Sequence, residues 1–145
     1  MTTIARRSAL ALAPIIAVPF LGRPRAAEAA SMYSPDVGKE AVPGVRQVDL
    51  GKFNIGIGNY KTAVLTDYVF LAGKGFPDDV MKNDMVCQML EGEVRVKQSG
   101  NPGRADSEFM AKTGHVFTCA INSHESDVNE GSGMAVMRVI DLLMT

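Results

Sequence analysis

Six side chains in this sequence are of types that can do chemistry together: Met81, Met85, Cys87, Met89, His124 and Glu125. Thioether and thiolate sulfur favour Cu(I), and the imidazole of His124 would complete a soft-ligand set. Met85, Cys87 and Met89 alternate with Val86, Gln88 and Leu90, so an extended chain puts the three sulfur side chains on one face. That face is the first candidate for part of a site. The same alternation also describes a strand facing an apolar core, because methionine fills irregular gaps well. His124 and Glu125 offer a second chemistry, a titratable pair of the kind acid–base catalysis requires. They are adjacent, and neighbours on an extended segment point apart, which weighs against one reacting centre. His124 also lies among Ser123, Glu125, Ser126 and Asp127, surroundings that suit an exposed loop. Neither Cys87 nor Cys119 has a base beside it in sequence, as a nucleophilic thiol would need.

The elements that position these residues read as β throughout. Around the Glu91-Gly92 break, residues 84–97 show a period of two, which predicts two short strands in a hairpin. Residues 45–50 and 52–58 read as strands separated by Gly51. Residues 62–72, rich in β-branched and aromatic types, make a third. A loop is expected over 73–79, and Gln98 to Gly103 is the strongest turn cluster in the chain. Residues 115–121 and 133–143 read as the last strands, with a polar connection over 122–133 between them. Residues 30–44, with Ser34-Pro35 and Pro43-Gly44, read as an irregular arm, and the domain proper as 45–145. Short strands at regular spacing, separated by Gly and Pro, point to an all-β sandwich or barrel.

Residues 1–29 have the layout of an export signal. Arg6-Arg7 precedes an apolar run over 8–22, and Ala27-Glu28-Ala29 supplies a small-x-small cleavage site. The adjacent arginines suggest the twin-arginine route and a bacterial periplasmic location. Pro14 and Pro19 interrupt a run that is short for a membrane span, so no stable membrane insertion is expected after cleavage. The remaining 116 residues suffice for one core. They carry eleven basic and fifteen acidic residues, a net charge of −4, with no basic run. That argues against a nucleic-acid partner, whose phosphates want clustered Lys and Arg.

The segments MLEGEVRV and KTGHVFTCAINSHESDVNEGSGMAVMRVIDL resemble the two motifs of a small single-domain cupin. The resemblance spans residues 45–143 and implies a double-stranded β-helix, the jelly roll, whose barrel mouth holds the site. It also implies that residues 85–90 and 115–121 are antiparallel neighbours. Pairing the bends near Glu91 and Gly114 then puts Cys87 roughly opposite Cys119. A disulfide would suit that placement in an oxidising compartment, and two free buried thiols are the alternative.

The family's metal ligands are mostly replaced here. Met85 stands where the first motif carries its Glu, and the two His positions fall on Asp79 and Met81, or on Asp78 and Val80. His115 follows Gly114 in place of the usual Asp. Glu125 occupies the second motif's His position, with His124 one residue before it, and Asn129 matches the family's Asn. An iron or manganese site of the usual type is therefore not expected. The resemblance implies a small-molecule binding module with Met81, Met85, His124 and Glu125 about its pocket, and a possible homodimer. The alternative is an enzyme, using a soft metal site at Met81, Met85, Cys87 and His124 or acid–base chemistry at His124. A pocket plugged by its own methionines would instead mark a pure interaction protein. The sequence names no cofactor.

Overall fold

The computed structural model describes residues 30–144; the expected export signal, 1–29, lies outside the described residues. The described residues form ten strands: β1 (Lys39–Val42), β2 (Val45–Ile57), β3 (Tyr60–Phe70), β4 (Gly75–Val80), β5 (Asp84–Glu91), β6 (Glu93–Ser99), β7 (Ser107–Lys112), β8 (Val116–Cys119), β9 (His124–Val128) and β10 (Ala135–Leu143). No helix occurs among the described residues. One sheet has the order β1-β2-β3-β10-β5-β8 and the other β4-β9-β6-β7, with every pairing antiparallel. The all-β jelly roll expected from the sequence is the fold observed.

The core lies between the sheets. Phe70, Cys87, Met89 and Met137 from the larger sheet meet Val94, Val96 and Ala111 from the smaller one. The alternation over 85–89 thus reports an inward face, as period-two patterning requires. Residues 85–90 and 115–121 are antiparallel neighbours through β5 and β8.

Several elements differ from the sequence reading, each for a local reason. Gly92 does not close a hairpin. β5 belongs to the larger sheet and β6 to the smaller, so Glu91-Gly92 turns a corner between layers. Gly92 has φ +70°, and a Cβ there would lie 2.8 Å from the Met134 carbonyl oxygen, so the corner needs glycine. Gly51 does not divide two strands; β2 runs through it with a bulge between Asp49 and Gly51. The arm, 30–44, is not wholly irregular, since β1 lies in it and extends the larger sheet.

The loop expected over 73–79 and the polar connection over 122–133 contain β4 and β9, which pair from Gly75–Val128 to Val80–His124. Pro77 is tolerated because β4 is a sheet edge. At Gly75 a Cβ would run into the Asp127 carbonyl, so the missing side chain lets β4 lie against β9.

The cysteine pairing is also corrected. Cys87 and Cys119 are both free and buried. Met89 N–H donates to the His115 carbonyl at 2.9 Å and Gly114 N–H to the Met89 carbonyl at 2.8 Å, so the turn locks on Met89 rather than Glu91. That two-residue offset sets Cys87 opposite Phe117 and Cys119 opposite Met85.

Candidate functional site

A half-open cavity of about 300 Å³ lies between the sheets at the β4–β9 end. Its walls are largely apolar: Tyr68 on β3, Phe76 on β4, Met81 and Met85, and Met137 and Val139 on β10. Phe76 stands edge-on to Tyr68, with ring centroids 5.0 Å apart, and to Phe70 at 5.6 Å. This arrangement suits rings whose quadrupoles interlock.

Four carboxylates join these walls: Asp79, Glu125, Asp127 and Asp141. Glu125 and Asp127 come from β9, where a period of two sends both inward while His124 and Val128 face out. Each is only 4% exposed. Gln98 donates its side-chain amide to Glu125, and the Cys119 thiol lies in hydrogen-bond reach of Ser123 Oγ at 3.0 Å. Asp127 Oδ1 is buried with no hydrogen-bond partner.

Burial pushes the Glu125 carboxyl up, against the pull of Gln98 and Cys119. Burial, and then the charge of Glu125, push Asp127 well up. The pair therefore holds a proton more tightly than carboxyls in water do, because two like charges in a poorly solvated site repel. Burial likewise raises Asp141, opposed by a 3.4 Å hydrogen bond from Asn83. The thiols are not activated. Burial and the nearby acids push Cys87 well up and Cys119 up to about 12, so neither is a ready thiolate.

Of the residues expected at the site, Met81, Met85 and Glu125 line this cavity. His124 does not join them. It is exposed on the outer side of β9, with Nδ1 3.1 Å from Asp78 Oδ2. Cys87 sits in the core rather than on the cavity lining. The soft set of Met81, Met85, Cys87 and His124 is thus not gathered at one point. Asp127, Asp141, Tyr68 and Phe76 were not anticipated. The signal available for Asp127 was its spacing of two from Glu125, legible once 124–128 is taken as a strand.

No protein-family model matches the sequence, and a search of curated proteins finds no match. Solved structures do match. The RmlC-like cupin of Shewanella frigidimarina is 13% identical, with a TM-score of 0.56 over 78% of this chain and 91% of that one. The fold is that of the cupins. KdgF from a Halomonas species, 12% identical, gives a TM-score of 0.56 over 71% of this chain and 84% of that one. A cupin superfamily protein from Desulfitobacterium hafniense, 14% identical, gives 0.53 over 72% and 83%. At these identities the likeness concerns the fold alone.

Within this cupin fold the residues present do not fit a histidine-held iron or manganese ion. No histidine lines the cavity. His115 packs against Phe109 and Phe117, away from it, with ring centroids 5.4 and 6.1 Å apart. Among the described residues no three or more His, Cys, Asp or Glu side chains converge as a metal site. Asn129, at the position of the family's Asn, is used by the scaffold. Its Nδ2 donates to the carbonyls of Phe70, Leu71 and Gly133, and its Oδ1 accepts from Gly131 N–H at 3.0 Å.

Proposed function

We propose that this protein is an exported cupin-like binding protein that holds a small organic molecule in the cavity between its sheets, without a histidine-held metal. The observation that carries the reading is the cavity itself. Apolar walls with a few inward polar groups are what a small-molecule pocket requires, and about 300 Å³ suits a compact ligand. Asp79 and Pro77 are exposed, so the mouth lies at β4, while Asp127 and Met137 are buried at the floor. A ligand would enter past Asp79 and bury its body against Tyr68, Phe76 and Met137. Export rests on the residues before position 30 and is read from sequence alone.

Native mass spectrometry of protein isolated from the exported fraction tests this reading. The expected result is an organic mass that leaves on denaturation, with iron and manganese far below one per chain. Stoichiometric iron or manganese would sink the metal-free part.

A second reading, acid–base catalysis, is favoured by one observation: Glu125 and Asp127 are two buried, inward carboxyls that hold a proton tightly. Such a pair can take and return a proton at a bound substrate, whereas His124 faces solvent. Conversion of the co-purifying molecule, lost in Glu125→Gln with binding retained, would favour this second reading.

A further inference from the structure

We propose that the cavity selects an organic cation, a protonated amine that donates N–H groups to Asp127 and Glu125 and lays its carbon body against Tyr68 and Phe76. The inference rests on the binding reading above and narrows its ligand class. Among the described residues four carboxylates line the cavity, and no Lys, Arg or His does. An acidic lining alone decides nothing, but Asp127 Oδ1 adds an independent observation. It is a buried acceptor with no donor among the described residues, on a residue that lines the cavity. Buried polar atoms are nearly always satisfied, so an orphaned acceptor on a residue of the cavity wall is a place for a ligand's donor.

Charge decides between donors. A neutral hydroxyl would satisfy Oδ1 and leave the repulsion between Glu125 and Asp127 in place. An ammonium satisfies it and neutralises one of the two charges. Tyr68 and Phe76 add to the selection, because aromatic faces beside a desolvated cation attract it. A divalent metal ion is the poorer occupant, since no three candidate ligands converge among the described residues.

Seating a cation also displaces the proton that the pair holds. Around the pair stand Asp79 from β4, Asp141 from β10, Tyr68 from β3, Cys87 from β5, Cys119 from β8 and the neutral Gln98 from β6. None of these brings a positive charge. Affinity for an amine should therefore rise with pH as the pair loses its proton, while affinity for a neutral analogue stays flat.

Benzylamine and benzyl alcohol, nearly equal in shape, serve as probes in calorimetry on the purified protein. At about pH 8 benzylamine should bind about tenfold more tightly, the size expected when a charged hydrogen bond replaces a neutral one. At lower pH, where the pair holds its proton, benzylamine binding should release protons, read as heats that differ between buffers of different ionisation enthalpy. Asp127→Asn should remove the preference, and His124→Ala should leave it intact. If Asp127→Asn does not fold, the wild-type protein still decides: benzylamine affinity should fall severalfold as the pH is lowered from about 8 and the pair takes up its proton, while benzyl alcohol affinity stays flat. Equal affinity for the two probes would overturn the cation preference while the cavity reading stands. Binding of neither would overturn both. Loss of benzylamine binding in calcium chloride, but not in sodium chloride of equal ionic strength, would assign the acids to a metal ion and overturn the proposal.

Discussion

Two aspartates are buried, one on the outer face of a sheet and one between the sheets, and their surroundings differ in kind. Asp67, on the outer face of β3, is fully buried, and both of its oxygens are engaged. Arg138, opposite it on β10, donates Nε to Oδ1 at 2.8 Å and Nη2 to Oδ2 at 2.9 Å, and Tyr33 OH donates to Oδ2 at 2.8 Å. Tyr33 comes from the N-terminal arm, whose Met32 N–H also reaches Glu91 at 2.8 Å. Asp127, inside the sandwich, has a neighbour of its own sign and one oxygen without a donor. A buried acid with every bond made belongs to the scaffold. One left short of a donor beside an open cavity is a place kept for something else.

Breaking the satisfied site should have the larger effect. Arg138→Ala leaves Asp67 charged, buried and nearly alone. Loss of one partner of a buried pair costs about 3 kcal/mol here, the low end of the usual range, because the Arg138 side chain is 32% exposed. Urea unfolding at neutral pH measures it, and a loss of a few tenths would show that Tyr33 and solvent hold Asp67 without the arginine. Tyr33→Phe removes a single bond and should cost about 1 kcal/mol. Because that bond ties the arm down, amide exchange across residues 31–36 should quicken in the same variant.

The unsatisfied site should respond with the opposite sign. Glu125 and Asp127 both have raised carboxyl pKa values in the folded state. A raised acid binds its proton more tightly folded than unfolded, so its stabilising contribution is complete below the unfolded value near pH 4 and is lost as pH rises through the folded value. Wild-type stability should accordingly fall from about pH 4 upward until the pair is fully ionised. Asp127→Asn should flatten that slope and raise stability at neutral pH, whereas Asp67→Asn should lower it. Parallel behaviour of the two variants would erase the distinction between the sites.

The scaffold was far more legible than the site. Short runs of apolar and β-branched residues, as over 85–89 and 135–139, bounded by turn signals, read directly as strands. β4 and β9 were missed because their inward positions carry Asp79, Glu125 and Asp127, so a polarity pattern reads them as loop. The residues that make the cavity distinctive are the ones that hid its strands. The Cys87–Cys119 register failed for another reason. It depended on which residue the Gly114 turn locks against, and backbone hydrogen bonds rather than side-chain types fix that.

His124, on the other face of β9, carries the smallest effect of all. His124 and Asp78 are 46% and 67% exposed, so their 3.1 Å contact is made in water and screened by salt. Exposed pairs of this kind contribute little, and His124→Ala should change stability by less than about 0.5 kcal/mol. Because alternation along the strand turns His124 away from the cavity that its neighbour Glu125 lines, the same substitution should leave ligand affinity unchanged. Calorimetry on the variant checks both statements, since unfolding and binding are read on one sample. A stability change that vanishes in high salt fits a surface pair. A loss of binding would instead require β9 to rotate about its axis when the ligand enters, carrying Asp127 out as His124 turns in. The two faces of β9 would then exchange roles, and Asp127→Asn would bind as well as wild type.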